Sequence, residues 1–245
     1  MKKINWILSL AIGAVIFLIG QWPDNQLHLI FCNVGQGDTI LMEYQDKQVL
    51  VDTGPDNSVL TCLGRNMPFW DRHLEAVMIT HNQKDHTGGL AEIKKRYQVS
   101  EITGLQVGDE LTVGEIKLRL LAGIQGSDKN TEGLVFLGSF GEFDWLLTAD
   151  ITEKEETGLL DKLKEVTVLK VAHHGSKYSS SQEFLETIKP QLAVISVGKN
   201  SYGHPTPEVL QRLGDIGAEI RRTDKNGQIV IVSDGRSWYI NSDEN

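Results

Sequence analysis

The stretch His81 to Gly89 reads His-Asn-Gln-Lys-Asp-His-Thr-Gly-Gly and sets two imidazoles and a carboxylate, His81, Asp85 and His86, within six residues. Imidazole nitrogen and carboxylate oxygen together suit a borderline divalent cation such as Zn2+ or Mn2+. A single histidine here would read as a helix cap or a solvent-bonded side chain; three donors at this spacing favour a metal site. Gly88 and Gly89 permit close backbone approach or unusual φ values.

Three further polar clusters follow apolar runs. Asp150 ends Trp145-Leu146-Leu147-Thr148-Ala149, His173 and His174 end Val168-Leu169-Lys170-Val171, and Asn200 to His204 follow Val194-Ile195-Ser196-Val197. The chain has seven histidines, and five of them (His81, His86, His173, His174, His204) occupy these loops. Scattered structural histidines would not select one kind of position so consistently. Asp150 taken alone also reads as an N-cap for a helix beginning near Thr152.

The elements that must carry these residues are legible in the periodicity. Apolar, β-branched runs give strands at 27–34, 39–44, 48–52 and 76–80, hairpins at 110–113/116–121 and 134–137/143–148, and strands at 166–171, 192–197, 219–222 and 229–232. Helices are expected within 56–75, from Leu90 to about Tyr97, over 152–163 with Thr152 and Glu155 as a capping box, from Ser180 or Ser181 to Pro190, and from Thr206 to Leu213 with Pro207 in its first turn. Strands dominate the first half, and the second alternates strand with helix. No Pro/Gly-rich linker divides residues 27–243, which read as one domain of two facing sheets with helices outside.

The net charge of −9 argues against a generally sticky nucleic-acid binder, because an acidic surface repels backbone phosphates, although it leaves room for a local basic groove. Cys32 and Cys62 could pair in an oxidising compartment, but neither lies in a C-x-x-C motif, and each reads as a small buried apolar residue. Residues 1–22 combine a basic start, Lys2-Lys3, with an uncharged apolar run flanked by Trp6 and Trp22. That pattern predicts a single N-terminal transmembrane helix, a cell-membrane anchor with the globular domain extracytoplasmic, or alternatively a signal peptide cleaved before secretion.

The segments Asn33-Val34-Gly35-Gln36-Gly37-Asp38, Val51-Asp52-Thr53-Gly54, Thr80-His81, Asp85-His86-Thr87-Gly88-Gly89, Leu147-Thr148-Ala149-Asp150, Lys170-Val171-Ala172-His173-His174-Gly175-Ser176 and Tyr202-Gly203-His204-Pro205 resemble the metallo-β-lactamase fold. Within it they resemble the hydrolase domain of ComEC-type competence proteins. The resemblance implies an α/β class, a four-layer αβ/βα sandwich over residues 27–243. It implies metal ligands at His81, Asp85, His86, Asp150, His173 and His174, catalytic roles for Asp85, Asp150 and His204, and one or two divalent ions, Zn2+ or Mn2+. Gln83 stands where the family pattern has a second histidine, and Asn130 falls near the same site, so one ion position is poorly supplied. The activity implied is metal-dependent hydrolysis, with DNA phosphodiesters as substrate in DNA uptake and a separate uptake channel as partner. A lactonase or β-lactamase, or a binding module that has lost a ligand at Gln83, are the alternatives. Ser176, Lys170, Lys177 and Lys199 are candidates for holding phosphate, each lysine otherwise reading as a solvated surface charge.

Overall fold

A computed structural model describes residues 12–13, 22–123 and 133–241. Its strands are β1 (Leu27–Phe31), β2 (Ile40–Tyr44), β3 (Lys47–Val51), β4 (His73–Met78), β5 (Gln98–Glu101), β6 (Glu110–Val113), β7 (Ile116–Ala122), β8 (Val135–Phe140), β9 (Phe143–Leu147), β10 (Val168–Lys170), β11 (Leu192–Ile195), β12 (Glu219–Arg222), β13 (Ile229–Ser233) and β14 (Trp238–Asn241). The helices are α1 (Ser58–Asn66), α2 (Lys84–Thr87), α3 (Leu90–Lys94), α4 (Glu153–Thr157), α5 (Gln182–Ile188), α6 (Pro207–Asp215) and α7 (Thr223–Asn226).

The strands form two seven-stranded sheets, ordered β14-β13-β1-β2-β3-β4-β5 and β12-β11-β10-β9-β8-β7-β6. In the first, β1, β2 and β3 pair antiparallel, while β3, β4 and β5 run parallel. In the second, β6 to β9 pair antiparallel, while β9 to β12 run parallel.

Side-chain alternation along the strands builds the layers. Leu27, Leu29 and Phe31 share the core between the sheets with Leu118, Leu120, Phe136, Trp145 and Val168. Ile30 and Cys32 belong instead to an outer core with Val59 and Leu63 of α1 and Ile93 of α3. On the far side, Leu146, Leu169, Ala193 and Ile195 pack with Phe184, Leu185 and Ile188 of α5 and Val209 and Leu213 of α6. Strands buried on both faces read as continuous apolar runs, which is why they stood out in the sequence. The result is the expected four-layer αβ/βα sandwich.

The transmembrane helix expected over residues 1–22 is corrected. Among the described residues no helix is long and apolar enough to cross a membrane, and all of that segment except residues 12, 13 and 22 lies outside them, as does Asn130. A basic start and an apolar run near the lower length limit for spanning are a compositional pattern, and such a pattern does not by itself fix a spanning element. Cys32 and Cys62 are buried as expected, and of the two readings left open they take the paired one: they form a disulfide, with Cα atoms 5.8 Å apart across a separation of 30 residues. Packing of α1 over the sheet brings Cys62 to Cys32, a distance no local pattern encodes. The helix expected over 152–163 is shorter. Thr152 N–H does donate to the Glu155 carboxylate, 3.0 Å, but α4 stops before Gly158 and a single 3-10 turn, Leu160–Lys162, follows.

Gly138 of β8 lies opposite Trp145 of β9, and a Cβ there would overlap the buried indole. Gly138→Ala is therefore expected to lower stability by about 1–3 kcal/mol through overpacking. For a domain of this size that corresponds to a drop in Tm of roughly 2–4 °C per kcal/mol, measurable by thermal melting.

Candidate metal centre

The polar clusters meet along one edge, where the parallel strands of both sheets end. Asp52 follows β3, Thr80 and His81 follow β4, Asp150 follows β9, and His173 and His174 follow β10. Asp85 and His86 sit in the one-turn helix α2. Its backbone is anchored: the His86 carbonyl accepts from Thr53 N–H at 2.7 Å, and the Asp85 carbonyl accepts from Asp38 N–H at 3.1 Å. Gly88 and Gly89 serve by close approach, since a Cβ on either would strike the Pro55 or Thr53 carbonyl; their φ values, −60° and −84°, are ordinary.

Asp85, His86, Asp150 and His174 each present one donor atom, and all four atoms lie within 4.8 Å of one another. His86 Nε2 is 3.5 Å from Asp150 Oδ2. His174 Nε2 is 3.4 Å from Asp85 Oδ2 and 3.7 Å from Asp150 Oδ2. His86, Asp150 and His174 are buried, whereas Asp85 is partly open to a cavity of about 260 Å3 that Gln36, Gln83, His173, Tyr202 and His204 also line.

The far nitrogens of the two imidazoles are fixed. His86 Nδ1 lies 2.7 Å from Asp52 Oδ2, and His174 Nδ1 lies 2.8 Å from the Ser196 carbonyl. Acceptors at both Nδ1 atoms hold a proton there, so in the neutral form of each ring Nε2 carries the lone pair, aimed at the cluster. His86 Nε2, His174 Nε2 and Asp150 Oδ1 are buried without a hydrogen-bond partner among the described residues. Buried polar atoms left without partners call for an explanation; here two imidazole nitrogens and two carboxylates converge, and that donor set fits a divalent ion.

The other expected site residues lie around this group. The His81 ring lies 4.0 Å from that of His86, centroid to centroid, with the planes tilted by 51°, and its Nε2 is also buried without a hydrogen-bond partner among the described residues. His173 Nε2 is 3.9 Å from Asp150 Oδ2, with the ring 40% exposed. His173 and His174 both take left-handed backbone, φ 51° and 54°, and of the two adjacent rings only that of His174 joins the four-residue cluster. His204 stands at the cavity wall, 5.7 Å from the His173 ring. Ser176 is buried and does not line the cavity. Lys177 and Lys199 are exposed, but Lys170 is not the surface charge it resembled: it is wholly buried and paired with Asp38. Asp38 and Asp52 stood in recognisable motifs without an assigned role, and only tertiary pairing shows their partners.

Burial lowers the pKa of His86, but the charge of Asp52, the close approach of Asp150, the hydrogen bond to Asp52 and the charge of Asp38 outweigh it and leave it well above the ordinary value. His174 is raised against burial by the charges of Asp150 and Asp38 and by its contact with Asp85. Asp150 goes the other way: burial raises it, yet His174, His86 and Lys170 hold it well below the carboxylate range. Burial also lowers His81, His173 and His204. An ion entering the cluster must displace the protons of His86 and His174, so binding releases protons. Because both are raised, affinity is expected to start falling at a higher pH than free imidazole would dictate. Calorimetric Mn2+ or Zn2+ titrations between about pH 8 and about pH 5.5 check this; affinity flat across that range would contradict it.

Residues 32–122 match the family model described as the metallo-beta-lactamase superfamily. The chain is 28% identical to ComE operon protein 3 of Bacillus subtilis, an alignment covering 88% of this chain and 34% of that protein. It is likewise 28% identical to Recombination protein 2 of Haemophilus influenzae, covering 94% of this chain and 32% of the relative. It thus spans about a third of the length of these curated relatives. Among solved structures, the metallo-beta-lactamase fold protein YhfI from Bacillus subtilis superposes with a TM-score of 0.57 at 14% identity, covering 83% of this chain and 99% of that one, a likeness of fold.

Proposed function

We propose that this chain, which carries a metallo-beta-lactamase domain, is a metal-dependent hydrolase of DNA phosphodiesters. The observation that carries the reading is the convergence of Asp85, His86, Asp150 and His174, with both histidines oriented through Nδ1. These four residues would hold a divalent ion, which when bound lowers the pKa of water towards neutrality and polarises a phosphoryl oxygen. Asp85 is the partly exposed carboxylate of the set. Burial raises its pKa, but the close contact with His174, 3.4 Å, and the charges of His86 and His174 outweigh it and hold the pKa below the ordinary value, so it stays ionised to orient a nucleophile and accept its proton. His204 and Tyr202 line the cavity and face a substrate entering it, and exposed Lys177 and Lys199 supply local positive charge on an otherwise acidic chain. The names of the relatives, a ComE operon protein and a recombination protein, favour DNA over lactones or β-lactams.

Metal analysis of the purified chain tests the reading first. Bound or bindable Mn2+ or Zn2+ is expected; a chain that takes up neither is a binding module rather than an enzyme. Gln83 lines the cavity beside Asp85 and Asp150. Gln83→Ala is expected to leave most hydrolysis intact. Gln83→His, which puts a nitrogen donor in place of a neutral amide, is expected to raise metal stoichiometry; tight binding of two ions by the unaltered chain would contradict that role for Gln83.

A further inference from the structure

We propose that the buried ion pair between Asp38 and Lys170 is a strut that fastens the two halves of the metal centre, one from each sheet, and that Lys170 is the positioning residue for Asp150. The proposal rests on the metal-binding reading above. Asp85 and His86 come from the first sheet's side of the edge, and Asp150 and His174 from the second. Asp38 lies between β1 and β2 and is tied to the first half through its backbone: its N–H donates to the Asp85 carbonyl at 3.1 Å, and its carbonyl accepts from Gly54 N–H at 2.8 Å. Lys170 is the last residue of β10 in the second sheet, and its side chain is 1% exposed.

The lysine ammonium reaches across the edge to Asp38 Oδ2. The same nitrogen donates to the Ala149 carbonyl at 2.9 Å and stands 3.8 Å from Asp150 Oδ1. Ala149 holds a left-handed backbone, φ 44°, a conformation costly for a residue with a Cβ and one that needs support from its surroundings. The ammonium supplies that support directly before Asp150. It also attracts one carboxylate oxygen, and the other, Oδ2, is the one within 3.5–3.9 Å of the Nε2 atoms of His86, His174 and His173. Buried ion pairs are weak sources of stability, and apolar residues of similar volume often replace them without loss. What an apolar replacement cannot supply is a cation that pins the 149–150 turn and turns the carboxylate.

The test compares the full chain with Lys170→Met and with the double variant Asp38→Asn/Lys170→Met, using Co2+ as the probe. Lys170→Met removes the ammonium paired with buried Asp38 and leaves it only the His86 and His174 rings at 3.8 and 3.6 Å, and is expected to lower Tm. The double variant removes both charges and is expected to recover most of that loss, so it carries the measurement even where the single variant does not fold. In both, Co2+ affinity is expected to fall by about tenfold or more, with altered cobalt d–d absorption as Asp150 leaves its position. A double variant that melts like the unaltered chain and binds Co2+ with unchanged affinity and spectrum would overturn the proposal alone. Failure of the unaltered chain to bind Co2+ would overturn it together with the reading on which it rests.

Discussion

Asp150→Ala is expected to abolish hydrolysis and to weaken divalent-ion binding by roughly a hundred- to several-thousand-fold. Asp150 is the hub of the cluster, with His86, His174, His173 and Lys170 all within 3.5–3.9 Å of its carboxylate. Removing it takes one of the two carboxylates of the donor set from the bound ion, a loss on the scale of the ~3–5 kcal/mol that deleting one partner of a buried charge pair costs, while Lys170 keeps Asp38 and His86 keeps Asp52. His86→Ala and Asp85→Ala are expected to act in the same direction. His73→Ala provides the contrast: it begins β4, at the opposite end of the strand from His81, and its ring pairs with Glu75 at 3.1 Å. Steady-state hydrolysis and calorimetric titration of the variants decide the matter, and equal losses at His73 and Asp150 would mean the centre lies elsewhere.

Asp52→Ala is expected to lower metal affinity by about 10–100-fold without removing a ligand. Asp52 accepts from His86 Nδ1 at 2.7 Å and from the N–H and hydroxyl of Thr80, both at 2.8 Å. Its loss frees the His86 ring to rotate and to change tautomer. Asp52→Asn, which keeps the shape but not the charge, is expected to recover part of the affinity only where its amide oxygen faces His86. Unchanged affinity in Asp52→Ala would show that packing alone orients the imidazole.

Much of this was readable from local pattern. Strands β1 to β4 and β8 to β11 are mostly apolar and announce themselves, and histidines at Val171 and Thr80 boundaries follow because site residues sit where strands end. The choice of His174 over His173 was not readable, since two adjacent rings on left-handed backbone are sorted only by where the turn Ala172–Gly175 points them. Lys170 looked like a surface charge because its partner, Asp38, lies 132 positions away by number, in a loop beside the other sheet. The Cys32–Cys62 bond and the role of Asp52 share that character, each depending on a distance set by packing of separate elements. The apolar start of the chain has a composition that suits a membrane helix, and all of it but residues 12, 13 and 22 lies outside the described residues, among which no helix is long and apolar enough to cross a membrane.

The most direct measurement is cleavage of linear single- and double-stranded DNA by the metal-stripped full chain as Mn2+ or Zn2+ is titrated in. Cleavage that is absent without the ion, rises with it and saturates as the Asp85, His86, Asp150 and His174 cluster fills is the expected result. A chain saturated with ion that leaves both DNA forms intact would contradict the proposed function.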